Sequence, residues 1–509
     1  GRILALLPER HNDELGALGA ADVHHIPARE VAHQHRSALI ELEATRRVGT
    51  CDTRGDLGLC VERPAHSLAK PLGRVVGHSD KHQSARYRRD RARLRCPAVK
   101  NQTTRRDFLS AAGLAGVSAG VGIGAGRAQG KELAHGAQAA ADSISFFGPH
   151  QAGIATHTQE HIQFASLEVM SNSLSDLRAL LAQLSSAAAL LSRGHPVGAL
   201  ETGATPPIDT GESVGLSSSR LTVTFGLGPS IFAHGRFGLS GRRPAPLVAL
   251  PAFATDALEG GLCGGDIGLQ VCADDPQVAF HAVHNLIRLA GPTAVPRWVL
   301  AGFGRTSNSR SQQTPRNLMG FKDGTNNIVA EDTNALERFV WARGPESPAW
   351  MRGGSYMVVR RIQMLLGRWD DIPLVQQEQT FGRHKLSGAP IGRVHEHDPV
   401  DLRAKAGGAP VIPSDAHVRL ASPEYNRGER ILRRGYSYVD GVDRASASAA
   451  GGLLFICYQR DPRSQFIPIQ RRLASYDALG AHTVHVGSAI FACPPGTREG
   501  GFIGETLFA

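Results

Sequence analysis

Residues 1–100 lack most of the side chains from which a protein core is built. They contain one aromatic residue, Tyr87, and no Phe, Trp or Met. A segment so poor in large apolar side chains cannot bury enough surface to offset the entropy that is lost on ordering. We therefore predict that residues 1–100 are a non-native or disordered leader, with Val99 as a candidate for the true start.

Residues 140–509, which make up most of the chain, have little excess of positive charge. The net charge is +10 over 509 residues, of which residues 1–139 carry +8 and residues 140–509 carry +2. A domain that binds nucleic acid would have a basic patch on its folded part. The near balance of charge after residue 139 argues against nucleic acid as a partner.

Cysteine is scarce, with seven residues in the chain. Four of them, Cys263, Cys272, Cys457 and Cys493, follow residue 139, and their spacing is not that of a tight disulfide framework. A disulfide between Cys263 and Cys272 is compatible with an exported protein. Buried free thiols are the alternative, and the sequence leaves both open.

The apolar run at residues 111–126 is too short and too rich in glycine for a typical membrane span. It follows the pair Arg105 and Arg106, and small residues follow it in turn, which is the pattern of a secretory signal. The paired arginines resemble the twin-arginine export signal. We predict that residues 101–139 are a twin-arginine signal region recognised by the twin-arginine translocase, and that the mature protein is periplasmic or extracellular.

Helical and strand periodicities alternate after residue 139. Residues 176–191 predict a helix with Ser175 as its N-cap, and Asp275 precedes a second helix that begins with a proline. Strands are predicted at 221–225, 267–271, 355–364 and 453–458, and further helices at 371–381 and 465–479. This alternation, with hairpin-like turns, indicates an α+β fold. The polar stretch 303–315 is the predicted boundary between two domains.

The most informative string is residues 316–325, which read RNLMGFKDGT. It places Asp323 between Gly320 and Gly324, and glycines allow the backbone to turn tightly and to approach a bound group closely. The bare pattern Gly-x-x-Asp-Gly is short enough to occur by chance. The full string is much more specific.

This string resembles the signature of the dye-decolorizing peroxidases, a haem family that uses an aspartate where other peroxidases use a distal histidine. Further segments resemble the same family in order along the chain: 147–154, 221–230, 297–304, 382–390, 415–419 and 431–436. The resemblance implies two ferredoxin-like domains with antiparallel sheets, at residues 140–310 and 311–509. It also implies that the C-terminal domain binds haem, as in the exported deferrochelatase/peroxidase subgroup.

The resemblance further implies the roles of individual residues. His417 would be the axial ligand of the haem iron, because a neutral imidazole nitrogen coordinates iron. Asp323 would transfer the proton across bound peroxide, and Arg433 would stabilise the negative charge that develops. The predicted cofactor-binding residues are Asp323, Gly324, Thr325, Asn326, His417 and Arg433.

Three details remain open at this point. Arg434 is an alternative to Arg433 as the distal cation. Either Asp461 or Asp477 is the carboxylate that would raise the electron donation of the axial histidine. Gly435 occupies a position where family members often have an asparagine, so that helper is missing.

The leading hypothesis is a haem b peroxidase that uses hydrogen peroxide to oxidise dyes or phenols. The second is a periplasmic haem- or iron-handling protein with incidental peroxidase activity, because exported members of the family are associated with iron uptake. A haem-free binding module is disfavoured by the joint presence of His417 and Asp323. We expect small aromatic reductants as substrates, iron-uptake proteins as partners under the second hypothesis, and a homo-oligomer.

Overall fold

The computed structural model describes residues 142–444 and 446–509. The predicted leader at 1–100 and the predicted signal region at 101–139 lie outside the described residues.

The first half of the described chain forms an antiparallel sheet with two helices. Its elements, in order, are β1 (His161–Val169), α1 (Leu174–Leu191), β2 (Thr222–Leu227), β3 (Ile267–Ala273), α2 (Pro276–Ala290) and β4 (Ala294–Arg305). The strand order is β2-β3-β1-β4, and its strand pairings are antiparallel. This is the βαββαβ arrangement of a ferredoxin-like domain. The apolar faces of both helices are buried in one core with the sheet.

The second half repeats this arrangement with a long insertion after its first strand. Its elements are α3 (Thr333–Phe339), β5 (Ser355–Met364), α4 (Leu366–Asp370), α5 (Leu374–Phe381), β6 (Lys405–Ala406), β7 (Ala409–Pro410), α6 (His417–Leu420), β8 (Leu432–Arg433), β9 (Tyr436–Asp443), β10 (Ser448–Gln459), α7 (Phe466–Tyr476) and β11 (Thr483–Cys493). Short 3-10 helices lie at Pro229–Phe232, Ser240–Arg242, Gly260–Leu262, Ala349–Met351, Pro423–Tyr425, Ala478–His482 and Glu505–Phe508. The strand order β9-β10-β5-β11 is again ferredoxin-like and antiparallel.

The two sheets join at both edges and form a barrel-like sheet. β4 pairs with β9, where Phe303 lies opposite Ser437, and β2 pairs with β11, where Leu227 lies opposite Ala492. Because β5 pairs with both β10 and β11, the eight long strands follow one another around a closed ring. β8 pairs with β10 beside this ring. The predicted α+β fold of two ferredoxin-like domains is confirmed.

Strand β10 separates the barrel interior from the rest of the second half. Leu454 and Ile456 are fully buried in the core inside the barrel. Leu453 and Phe455 point to the opposite face and line a cavity beneath α7. Side chains alternate between the faces of a strand. One face of β10 therefore packs in the barrel core, and the other forms a wall of the cavity.

Several local predictions are confirmed and others are wrong in detail. Asp275 caps α2 by accepting hydrogen bonds from the backbone of Gln277 and Val278. The N-cap of α1 is Ser173 and not Ser175, so the helix begins at Leu174. The helix predicted at 371–381 begins at Leu374, because a proline at 373 disfavours the helical conformation of the residue before it.

The predicted boundary at 303–315 lies where β4 ends, and part of it is buried. Thr306, Ser307, Asn308 and Ser309 are all buried. The side-chain oxygen of Asn308 accepts a hydrogen bond of 2.9 Å from the backbone of Thr158. Hydrogen bonds to other parts of the chain make the burial of these polar side chains possible. The division into domains 140–310 and 311–509 stays a prediction.

The four described cysteines are free thiols. Cys272 lies inside the barrel, where its sulfur accepts a hydrogen bond from the hydroxyl of Tyr436 at 3.5 Å. The disulfide considered between Cys263 and Cys272 is therefore not formed. The alternative of buried free thiols holds for Cys272, Cys457 and Cys493, whereas Cys263 is half-buried.

Candidate functional site

The loop that carries Asp323 is shaped by glycine. Gly324 has φ of 122°, and a Cβ added there would lie 2.6 Å from the backbone nitrogen of Ser307. A side chain is therefore excluded by both conformation and space. The backbone of Asp323 is held on both sides, because its N–H donates to Pro315 and its carbonyl accepts from Ser307. The loop thus presents the Asp323 carboxylate at a fixed position.

Arg433 meets this carboxylate from strand β8. Its Nη1 donates to Oδ1 of Asp323 in an ion pair. The neighbouring Arg434 points to the opposite face, as expected for successive strand residues. It is fully buried and donates to the carbonyl of Thr156 at 2.6 Å and to the side chain of Gln159. The structure therefore brings Arg433, and not Arg434, to Asp323.

Asn327 fixes the backbone of Arg433 relative to the Asp323 loop. Its Oδ1 accepts from the N–H of Arg433 at 2.8 Å, and its Nδ2 donates to the carbonyl of Arg433 at 2.8 Å. The same Nδ2 donates to Ser307 at 3.0 Å. The side chain of Asn327 is 6% exposed. The sequence interpretation missed this residue, although it follows Asp323 by four positions within the same segment.

His417 begins the short helix α6 and pairs with Asp477. Nδ1 of His417 and Oδ2 of Asp477 are 2.5 Å apart. The second oxygen of Asp477 accepts from the backbone of Leu479 at 2.9 Å, which orients the carboxylate. Asp461, the other candidate partner, pairs with Arg463 instead. Burial lowers the pKa of His417, but the adjacent Asp477 outweighs it, so the pKa lies above its ordinary value.

A cavity of about 280 Å³ brings these groups together. Its size is near the lower end of the roughly 300–1,000 Å³ that ligand pockets have. Asp323, Arg433, His417 and Asp477 all line it. The predicted cofactor-binding residues Gly324, Thr325 and Asn326 line it too. Apolar side chains form much of the remaining wall: Met319, Ile362, Phe381, Leu453, Phe455 and Leu473.

Basic side chains lie at the edge of the cavity near Asp323. Lys322 forms an ion pair with Glu396, which also accepts a hydrogen bond of 3.0 Å from Thr325. Burial alone would raise the pKa of Glu396, but hydrogen bonds from Lys322, Thr314 and Thr325 hold it below the ordinary value. Burial lowers the pKa of Arg383 to about 10, which leaves it protonated at neutral pH.

These residues fit a haem group. The cavity offers an imidazole whose Nδ1 is engaged by a carboxylate, which leaves Nε2 as the nitrogen for a metal. Its apolar walls suit a flat apolar ring, and its cationic residues suit the carboxylates at the edge of such a ring. Arg433 and Asp323 provide a donor and a proton carrier in the same cavity.

Steric crowding explains why position 435 holds a glycine and not an asparagine. A Cβ there would lie 3.0 Å from the hydroxyl of Thr306 and 3.3 Å from a methyl group of Leu453. A larger side chain would require these neighbours to shift. The amide of Asn327 contacts only the backbone N–H and carbonyl of Arg433, so it does not replace a side chain at position 435.

Comparison with known proteins identifies the family. The Dyp-type peroxidase N-terminal and C-terminal family models match residues 151–304 and 314–498. The deferrochelatase of an Escherichia coli strain is 37% identical over 369 residues, which cover 71% of this chain and 86% of the relative. The dye-decolorizing peroxidase of Thermobifida fusca is 46% identical over 301 residues, which cover 58% of this chain and 69% of the relative.

Solved structures agree with this result. Ferric DtpA from Streptomyces lividans is 38% identical, with a TM-score of 0.66 over 72% of this chain and 97% of that one. The DyP-type peroxidase from Cellulomonas bogoriensis is 40% identical, with a TM-score of 0.64 over 72% of this chain and 98% of that one. The chain therefore belongs to the Dyp-type peroxidase family and is a haem peroxidase.

Proposed function

We propose that this protein binds haem b through His417, reduces hydrogen peroxide, and oxidises dyes or phenolic compounds. The observation that carries the proposal is that His417 and the Asp323–Arg433 pair line one cavity. A small aromatic reductant is the second substrate in this proposal.

In this proposal Nε2 of His417 would hold the haem iron. Asp477 accepts the hydrogen bond from Nδ1, which fixes the orientation of the ring and makes Nε2 a stronger donor. Bound haem supplies the redox chemistry. The residues of the chain place peroxide and move its proton.

Asp323 would accept a proton from one oxygen of hydrogen peroxide and return it to the other, the proton transfer needed for cleavage of the O–O bond by bound haem. Its ion pair with Arg433 holds the carboxylate beside the guanidinium. The Arg433 guanidinium then stabilises the charge that develops on the leaving oxygen. Asn327 holds Arg433 at the position where it can do this.

Export by the twin-arginine translocase is part of the proposal. It is supported by Arg105 and Arg106 ahead of the apolar run 111–126. That route carries folded proteins, which suits a protein loaded with haem before export. We propose a periplasmic or extracellular location and a homo-oligomer.

The second candidate function is haem or iron handling, with iron-uptake proteins as partners. It is favoured by the relatives named deferrochelatase, which this chain covers to 86% of their length. The site residues are compatible with either function, so activity measurements must separate them.

The test is a stopped-flow experiment on the purified, haem-loaded protein. Hydrogen peroxide should change the haem spectrum rapidly, and a phenol or dye should restore it with turnover. Release of free iron from haem, measured with a ferrous chelator in the same preparation, should be slower than turnover. Iron release without turnover of any phenol or dye would replace the first function by the second.

A further inference from the structure

We propose that Gln470 binds a propionate of haem through its side-chain amide. The inference rests on the proposed function, because it assumes that haem occupies the cavity. Gln470 lies on α7, the helix that ends beside Asp477, and it lines the cavity together with Asp323, Arg433 and His417.

The amide of Gln470 has no partner, although the residue is buried. Gln470 is 8% exposed. Its amide forms no hydrogen bond with the described residues, yet its polar atoms are not among the unpartnered ones that are closed to water. Since the residue lines the cavity, the open amide reaches the space in which a ligand would lie.

The other side chains that surround Gln470 on this face of α7 are apolar. Phe466, Ile469 and Leu473 line the cavity at the spacing of one helical face. A leucine at position 470 would extend this apolar wall. An amide in that place weakens the binding of an apolar ring, unless the ligand gives it a new partner when water leaves. Gln470 therefore indicates a polar group on the ligand.

The position of Gln470 along α7 indicates which group this is. It precedes Asp477 by seven residues, which is two helical turns or roughly 10 Å along the axis. Asp477 marks the place of the iron ligand, since it pairs with Nδ1 of His417. The amide of Gln470 thus lies away from the metal and would meet the periphery of a bound ring.

At the periphery of haem b, the groups that form strong hydrogen bonds are the two propionates. Nε2 of a glutamine donates, and a carboxylate oxygen accepts. Such a bond is stronger than one between neutral groups because the acceptor is charged. Haem has two propionates, so an amide that binds one of them leaves the other for the cationic side chains of the cavity.

The test uses Gln470→Met, which removes the amide and keeps a side chain of similar length. Without haem the amide has no partner to lose, so the variant should unfold at the same temperature as the wild type, or higher. Gln470→Glu keeps the shape but places a second carboxylate against the propionate. Gln379→Met is the matched control, since Gln379 is also a helical glutamine but is exposed and does not line the cavity.

The first measurement is the rate at which the full-length loaded protein loses haem to excess apomyoglobin. Gln470→Met should lose haem roughly tenfold faster than the wild type, the effect of one hydrogen bond to a charged group. Gln470→Glu should lose it faster still, and Gln379→Met at the rate of the wild type. The second measurement is the propionate bending vibration in the resonance Raman spectrum, which should shift in Gln470→Met alone of the two methionine variants.

Loading with iron etioporphyrin, which has no carboxylates, separates the hydrogen bond from the shape of the wall. Gln470→Met should then lose the porphyrin no faster than the wild type does. An equal acceleration with both porphyrins, or an unchanged rate of haem loss and an unchanged Raman spectrum, would show that the amide does not bind a propionate. A wild-type protein that takes up no haem would instead overturn the proposed function.

Discussion

The side-chain amide of Asn327 makes the two backbone hydrogen bonds to Arg433 that a neighbouring β-strand would make. Both are 2.8 Å long, and a third bond ties the same amide to Ser307. The backbone of Ser307 also contacts the backbone of Asp323. The side chain of Asn327 therefore links the segments that carry Asp323 and Arg433.

Replacing Asn327 by Ala should therefore misplace Arg433. We expect the reaction with peroxide to slow by roughly 10–100-fold, the range in which a small misplacement of a catalytic group acts, while haem stays bound. Stopped-flow mixing measures this rate. Asn285→Ala is the control, because Asn285 is equally buried and hydrogen-bonded but lies on α2 away from the cavity. Equal slowing in both variants would mean a general loss of stability.

Asp323→Asn should retain the shape of the side chain but lose the exchange of a proton. We expect the reaction with peroxide to slow by roughly 10²–10⁴-fold, the usual contribution of general acid–base catalysis. Haem affinity should barely change, because Asp323 is not a ligand. Asp461→Asn, a carboxylate outside the cavity, should react like the wild type. A near-normal rate in Asp323→Asn would leave Arg433 as the main catalytic group.

His417→Ala should abolish or strongly displace the main absorption band of the bound haem. The cause is the loss of the nitrogen that holds the iron. His384→Ala is the control, since His384 also pairs with a carboxylate, that of Glu378, but does not line the cavity. A normal spectrum and full haem content in His417→Ala would identify another residue as the ligand.

Changing Arg105 and Arg106 together to Lys should leave active protein in the cytoplasm, because twin-arginine signals depend on the pair itself. Cell fractionation followed by a peroxidase assay measures the distribution. Arg127→Lys lies after the apolar run and should not alter export. Continued appearance of the double variant outside the inner membrane would exclude this signal.

The buried His485 predicts a loss of stability in acid. Its pKa is lowered to about 3, so the unfolded chain binds a proton below pH 6.5 that the folded protein does not take up. Its contribution is complete above pH 6.5 and declines as the pH falls towards 3. Urea unfolding of the haem-free protein from pH 7 to 4 should show a weaker pH dependence in His485→Gln than in wild type.

Short-range features of this chain could be predicted from sequence, because their causes are local. Asp275 ahead of a proline gives a capped helix, and Gly382 ends α5 with φ of 78°. The string around Asp323 carried the family resemblance and hence the region of the site. Helix starts were less certain, because Ser173 and Ser175 are equally good caps by residue type.

Other features depended on contacts between distant parts of the chain. The choice of Arg433 over Arg434 follows from which face of β8 lies on the cavity, and the choice of Asp477 over Asp461 from where α7 ends. Neither leaves a sign in the local sequence. The burial of residues 306–309 could not be predicted from their polar composition, because it depends on hydrogen bonds to residues such as Thr158, far away in the chain.

Each half has the topology of a separate ferredoxin-like domain. In the closed ring, however, the edge strands of each half pair with those of the other. Removing the first half would uncover the side of β9 that pairs with β4 and the side of β11 that pairs with β2. Unpaired strand edges promote association with other chains. A haem-binding half made alone would therefore expose two unpaired strand edges. The first half supplies neither His417 nor Asp323, but it covers both edges and so prevents the second half from associating with other chains through them.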